Sequence, residues 1–120
     1  MLRVMLALRI VGFCILLADD KTLRRLNRDF RGKNKATNVL SFPGAGDYAG
    51  DIAIAHGVTR GEAKASGKKF ADHAAHLVVH GVLHLAGYDH ERPKDAKLME
   101  PLEVKILGRL GIADPYKAAA

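Results

Sequence analysis

The sequence predicts an α+β fold in which a small mixed β-sheet packs against several helices, with an α/β fold around one small sheet as the alternative. Two observations support this prediction. Short apolar segments typical of strands occur at three places along the chain, and longer segments with the period of amphipathic helices lie between and after them. The chain of 120 residues is large enough to bury one core, and no linker or internal repeat divides it. We therefore expect a single domain over residues 1–120.

The first segment, Met1–Ala18, is mostly apolar but is interrupted by Arg9. The longest uninterrupted apolar stretch, residues 10–18, is too short to span a membrane as a helix. A secretory signal peptide is the alternative, but no small-residue cleavage site precedes Asp19. We predict strand structure here, with Phe13–Leu17 as a buried strand and Cys14 as a small buried hydrophobic residue.

The next segment predicts an amphipathic helix. Asp19 or Asp20 can cap its first turn, and the helix should run to about Phe30 and stop at Gly32. Its inner face would consist of apolar residues at helical spacing: Leu23, Leu26 and Phe30.

Two further strands are predicted before the middle of the chain. Thr37–Phe42 is rich in β-forming residues and is stopped by Pro43. Asp51–Ala55 alternates, so that Ile52 and Ile54 share one face and small alanines share the other.

The second half of the chain predicts three helices, at about Gly57–Ala65, Ala71–Leu85 and Lys94–Leu110. Pro101 lies inside the last helix and should kink it or divide it into two pieces. The apolar stripe of that helix is predicted at four positions: Met99, Leu102, Ile106 and Leu110.

Three histidines in the central helix and the turn after it form the most informative pattern. His80 and His84 are four residues apart, so their side chains project from one helix face and can reach the same metal ion. Gly87 can adopt the positive φ that ends the helix, which would let His90 close on that ion. Three neutral nitrogen ligands with an open fourth position are typical of a catalytic zinc ion. The alternative is that these are ordinary histidines on a helix face.

The histidine pattern overlaps the zinc-protease signature H-E-x-x-H-x-x-G-x-x-H, with one difference. Gly81 stands where those proteases have the glutamate that acts as general base. Because glycine has no side chain to accept a proton, this difference argues against peptide hydrolysis.

The remaining histidines are poor candidates for direct metal ligands. His73 and His76 lie on the same helical stripe but too far along it, so we expect them to line the mouth of a cleft or to orient a ligand from behind. Asp89 and Glu91 flank His90 and could fix the tautomer of a ligand, although a solvated acidic turn explains them equally well. His56 follows a strand, and we expect a structural or solvent-facing role for it.

The charge of the chain is concentrated in one segment. The formal net charge is +6, and residues 21–35 alone contain seven basic residues and one acid. Such a face is typical of proteins that bind polyanions, although a solvated helix face is the alternative. The basic residues that we expect to contact phosphates are Arg24, Arg25, Arg28, Lys33 and Lys35. The single cysteine excludes an intrachain disulfide framework and fits a cytoplasmic protein.

Four blocks of the chain carry a further signal: RGKNKATNVLSFP at 31–43, GDIA at 50–53, HLVVHGVLHLAGYDH at 76–90 and GIADPY at 111–116. Together they closely resemble the bacterial YbeY family of zinc-dependent endoribonucleases. The similarity runs from about Ile15 to Tyr116. Members of the family usually carry an additional strand and helix before the equivalent of Phe13. Here the start is shortened, or residues 1–10 supply a substitute strand.

The resemblance implies a zinc site made by His80, His84 and His90, on a central helix followed by a glycine turn. It also implies that Arg31 is an essential arginine near the metal, and we expect Arg31 and His80 to be the catalytic residues. Arginine suits this role, since a planar, always charged guanidinium can stabilise the charge that builds up on phosphate oxygens. His76 and Asp89 are the candidates for side chains that hold the ligand histidines in orientation without touching the metal.

The expected substrate is single-stranded RNA, and the expected role is 3′-end maturation of 16S rRNA and ribosome quality control. The expected partners are rRNA, the small ribosomal subunit and its assembly factors, with neither DNA nor a membrane among them. Two other classes of protein remain open: a zinc metallopeptidase, and a non-catalytic RNA-binding or ribosome-binding module that contains zinc.

Overall fold

The structure, a computed structural model, describes residues 2–6, 9–88 and 93–117. His90, Asp89 and Glu91 therefore lie outside the described residues. The elements are β1 (Leu2–Leu6), β2 (Arg9–Ala18), α1 (Asp20–Arg31), β3 (Val39–Pro43), β4 (Tyr48–Ala55), α2 (His56–Ala65), α3 (Phe70–Leu85) and α4 (Pro93–Arg109).

The described strands form one mixed sheet in the order β1-β2-β4-β3. β2 runs parallel to β4, whereas the pairs β1–β2 and β3–β4 are antiparallel. β1 pairs with β2 in a register that joins Leu2 to Phe13, so a strand is present within residues 1–10. The prediction of an α+β fold with a small mixed sheet is confirmed.

The two faces of β4 are buried under different helices, as its alternating sequence predicts. Ile52 and Ile54 belong to a core cluster with Phe13 and with Leu77 of α3. The neighbouring alanines, Ala53 and Ala55, face the other way and pack with Leu23 of α1. Helix α3 therefore lies on one side of the sheet and α1 on the other, which places the ends of both helices at the same edge strand, β3.

Strand β2 differs from its prediction as a buried strand. Phe13 is buried, but Cys14, Ile15, Leu16 and Leu17 are exposed, with 52% of Leu17 accessible. The described helices pack mainly over β3 and β4; β2 contributes Phe13 to the cluster under α3 and Ala18 to the cluster under α1, whereas the side chains between them are left exposed. An apolar run is compatible with a buried strand, but burial needs a covering layer as well.

Helix α1 is capped as predicted at both ends. The Asp19 carboxylate accepts a hydrogen bond from the Thr22 amide at 2.8 Å, and Gly32 ends the helix with φ 69°. The prediction that Phe30 belongs to the inner face is wrong, because 67% of this side chain is exposed. Asn27 takes the inner position four residues after Leu23, and its amide donates to the carbonyl of Lys35.

Helix α4 continues through Pro101, so the helix is not divided in two. Proline has no amide hydrogen, so the carbonyl four residues before Pro101 lacks its usual partner. Because Pro101 is exposed, that carbonyl lies on the solvent side of the helix. The predicted apolar stripe is wrong in its second half. Met99, Glu103 and Leu107 face the interior, whereas Leu110 is 62% exposed. The inner face of the helix differs from the prediction because it includes the buried acid Glu103, a residue type that is usually exposed.

None of the helices within the described ranges is both long enough and apolar enough to cross a membrane.

Candidate metal centre

Helix α3 places His80 and His84 with their rings facing each other. Apolar residues on its other side, including Val79 and Leu83, pack against α4 and fix the rotation of the helix. The two Nε2 atoms are 3.1 Å apart, and the ring centroids are 4.7 Å apart. Two nitrogens on one tetrahedral zinc ion, each about 2.0–2.1 Å from it, lie about 3.3 Å from each other. The pair is therefore already at the separation that a shared zinc ion requires.

The other ring nitrogen of His80 contacts Glu103. Nδ1 of His80 donates to a carboxylate oxygen, Oε2, of Glu103 at 2.9 Å. Because a carboxylate can only accept, this contact puts the ring proton on Nδ1 and directs the Nε2 lone pair toward His84. A carboxylate behind a histidine in this way is the usual support of a metal-binding imidazole.

Glu103 lies at the centre of a wider buried cluster. Its side chain is 1% exposed, and Oε2 also lies 3.3 Å from Nε2 of His76. The Tyr116 hydroxyl donates to its other oxygen, Oε1. Burial raises the pKa of Glu103, but the hydrogen bonds from His76, His80 and Tyr116 together outweigh it and hold that pKa at about 2. Burial and the contact with Glu103 raise the pKa of Tyr116.

The glycine turn after α3 has the predicted conformation. Gly87 has φ 103°, and the Tyr88 amide closes the helix end on the carbonyl of Leu83 at 3.0 Å. Among the described residues, no three potential metal ligands come together. His80 and His84 are two of the three predicted ligands. The predicted third ligand, His90, and the predicted support Asp89 lie outside those residues.

At Gly81 the backbone of α3 lies close to the sheet. A Cβ atom built on Gly81 would lie 3.1 Å from Cγ2 of Ile52 and 3.1 Å from Oγ of Ser41. The Ser41 hydroxyl donates to the carbonyl of Gly81 at 3.2 Å. A glutamate at position 81 would thus point into the packed sheet, so the position is structural.

Arg31 reaches the same region from the opposite side of the sheet. It is the last residue of α1, and its Nη2 donates to the carbonyl of Ser41 at 2.8 Å. Gly32 follows it in the left-handed conformation and ends the helix. Ser41 therefore connects Arg31 to the backbone of the histidine helix.

A cleft of about 950 Å³ brings these groups together. Basic residues from the end of α1 and the loop after it lie on one wall, and histidines of α3 lie on another. The lining residues that matter here are Arg31, Lys33, Lys35, His76, His80, His84 and Tyr116. The predicted phosphate contacts Arg24, Arg25 and Arg28 do not line this cleft; they are exposed on α1.

His73 also lines the cleft, but its contacts are different. Its Nε2 lies 2.9 Å from Oε1 of Glu62, which also accepts from the amide of Asn38. The contact ties α2, α3 and the loop before β3 together. His56 packs its ring near Phe70, in line with a structural role.

Glu103 and Tyr116 were missed by sequence reasoning. The available signal for Glu103 is its spacing, since Met99, Glu103 and Leu107 repeat every four residues on one helix face. An acid inside an apolar stripe needs a partner when it is buried. Histidines without a predicted metal-binding role, such as His76, could have been proposed as that partner. For Tyr116 the sequence carries no comparable signal.

The family model of Endoribonuclease YbeY matches residues 5–111 of the chain. The chain belongs to the YbeY family. It is 53% identical over 108 residues to the Endoribonuclease YbeY of Methylocella silvestris, with 86% of this chain and 61% of that protein covered. It is likewise 53% identical over 111 residues to the protein of the same name from Rhodopseudomonas palustris, with 85% and 58% covered.

The chain therefore spans about three fifths of the length of these relatives. The solution structure of a protein from Thermotoga maritima is similar to the YbeY fold seen here, with a TM-score of 0.56 and 28% identity. The alignment covers 89% of this chain and 79% of that one. The α+β architecture is thus shared with a solved structure.

Proposed function

We propose that this chain is a zinc-dependent endoribonuclease that cleaves single-stranded RNA. The observation that supports the proposal best is the composition of the cleft. Arg31, Lys33 and Lys35 line it together with the converging pair His80 and His84. A pair of histidines able to hold a metal, in a cleft that three cationic side chains also line, suits a phosphodiester, whose charge increases during cleavage.

The residues that would hold the zinc ion are His80, His84 and, beyond the described residues, His90. The spacing of the two Nε2 atoms and the contact of Nδ1 with Glu103 fit such a site. When bound, zinc supplies Lewis-acid stabilisation of phosphoryl oxygens and activates the nucleophile.

The chain's own cations bind and orient the substrate. Arg31 uses one nitrogen to contact the carbonyl of Ser41, which fixes the direction of its guanidinium while leaving other N–H groups available for a phosphate. Lys33 and Lys35 lie in the same cleft and would hold the neighbouring phosphates.

The metallopeptidase alternative lacks a base at the required position. Gly81 has no side chain, and its backbone packs close to Ile52 and Ser41, so this position supplies no general base. The Endoribonuclease YbeY name of the relatives also supports RNA as the substrate. The more specific role that we propose, on the resemblance described above, is 3′-end maturation of 16S rRNA and ribosome quality control. The partners would be the small ribosomal subunit and its assembly factors.

The test combines metal analysis with cleavage by the purified chain. We expect one zinc per chain and cleavage of a single-stranded oligoribonucleotide, with little cleavage of the same sequence as a duplex or as DNA. His84→Ala should lose most of the zinc and the activity together. Binding of RNA with zinc present but no cleavage would favour the non-catalytic module, and peptide cleavage would favour the protease.

A further inference from the structure

Glu103 is a buried acid that the proposed cleavage reaction does not use directly. It is held between α3 and α4, and each of its oxygens is hydrogen-bonded. Isolated buried carboxylates are costly, and even paired ones are weak contributors to stability. A role in the fold alone therefore gives a poor reason for an acid rather than an apolar residue at this position.

Two histidines contact this acid, and a third contacts one of the two. His76 and His80 are one helical turn apart and share the oxygen Oε2, while His80 and His84 are one turn apart and face each other through Nε2. His80 thus lies between the carboxylate and the proposed metal position. If Glu103 keeps the ring proton on Nδ1, then Nε2 has a lone pair available for a metal ion.

We propose that Glu103 is a positioning residue that keeps the ring proton of His80 on Nδ1 and so prepares Nε2 to bind the metal. Tyr116 completes the arrangement, because its hydroxyl occupies the second oxygen of Glu103 and thereby holds the carboxylate plane. The inference rests on the proposed zinc site and adds a residue to it.

The first measurement concerns the metal-free wild-type chain. Long-range ¹H–¹⁵N NMR spectra distinguish the two imidazole tautomers. We expect His80 to carry its proton on Nδ1. A proton on Nε2 would overturn the inference, and the result does not depend on any variant folding correctly.

The second measurement is a competition titration with zinc alone against a chelator of known affinity. Glu103→Gln keeps the shape of the side chain but leaves one acceptor oxygen for several donors. We expect its zinc affinity to fall about 10–100-fold, and the Nε2–H form of His80 to increase in the metal-free variant. The matched control is Glu100→Gln, the same change at an exposed position of the same helix, which should bind zinc as the wild type does.

The outcomes separate the two proposals. Zinc bound equally tightly by the wild type and by Glu103→Gln would overturn the role of Glu103 and leave the zinc site intact. A wild-type chain that binds no zinc would overturn both. Weaker zinc binding in Glu103→Gln with an unchanged His80 tautomer would point to a purely structural effect and would also overturn the inference.

Discussion

Ser41 joins the two walls of the candidate site through its backbone carbonyl and its hydroxyl. Its carbonyl accepts from Arg31, and its hydroxyl donates to the carbonyl of Gly81 on the histidine helix. The absence of a side chain at Gly81 allows this close approach. A guanidinium from α1 can therefore be held beside histidines from α3, although the sheet separates the two helices.

Arg31 is the residue for which the proposed function makes the clearest prediction. Arg31→Ala should retain its zinc and its fold but cleave single-stranded RNA roughly a hundredfold more slowly at saturating substrate, the effect expected when a charge-stabilising donor is removed. Lysine at this position should restore little activity, because a point charge lacks the planar fork. Cleavage rates and zinc content would be measured on the same preparations.

The control for this prediction is Arg109→Ala, which removes an arginine at the exposed end of α4. It should leave the rate unchanged. Near-normal turnover in Arg31→Ala would remove this arginine from the mechanism.

Among the helices, α2 depends on a neighbour for its N-terminus. Its N-cap residue, Ala55, makes no side-chain cap hydrogen bond. Asp20, at the start of α1, supplies one instead, since its carboxylate accepts from the amide of Val58 at 2.9 Å. Gly57 allows this approach, because a Cβ there would lie 2.4 Å from Oδ2 of Asp20.

We predict that Asp20→Ala lowers the free energy of unfolding by about 1 kcal/mol, the usual cost of losing an N-terminal cap. Urea unfolding of the metal-free chain followed by circular dichroism would measure the change. Asp29→Ala is the matched control, because Asp29 is exposed on the same helix and pairs only with its exposed neighbour Arg28 among the described residues. Equal stabilities for the two variants would show that α2 does not depend on the contact from α1.

At the scale of the whole molecule, the distribution of charge suggests how the proposed RNA substrate would approach. The basic segment 21–35 has two parts in the structure: the arginines of α1 on an exposed face, and the residues from Arg31 onward that line the cleft. The sequence predicts phosphate contacts for both parts. The cleft brings only the second part near the histidines.

We predict that RNA affinity falls steeply with salt and that the double variant Lys33→Ala, Lys35→Ala flattens the slope by about 0.7 for each lost contact. Binding isotherms at several salt concentrations would measure the slope for a single-stranded oligoribonucleotide. The corresponding double variant of Arg24 and Arg25 tests whether the bound strand extends onto α1. A slope that is unaltered by loss of both lysines would place the RNA outside the cleft.

The sequence by itself determined the features that depend on neighbours along the chain. The alternation of β4, the caps Asp19 and Gly32, and the positive φ of Gly87 follow from residue type and short-range spacing, and each is present in the structure. The facing pair His80 and His84 follows in the same way, because four residues are about one helical turn.

Only the tertiary structure decided which surfaces are covered and which distant groups meet. Cys14 to Leu17 of β2 are exposed because the described helices pack mainly over β3 and β4, and Glu103 is buried because donors from α3 and the C-terminal turn satisfy its carboxylate. Burial depends on packing between elements far apart in sequence. A pattern read along one helix cannot supply the partners that make a buried charge acceptable.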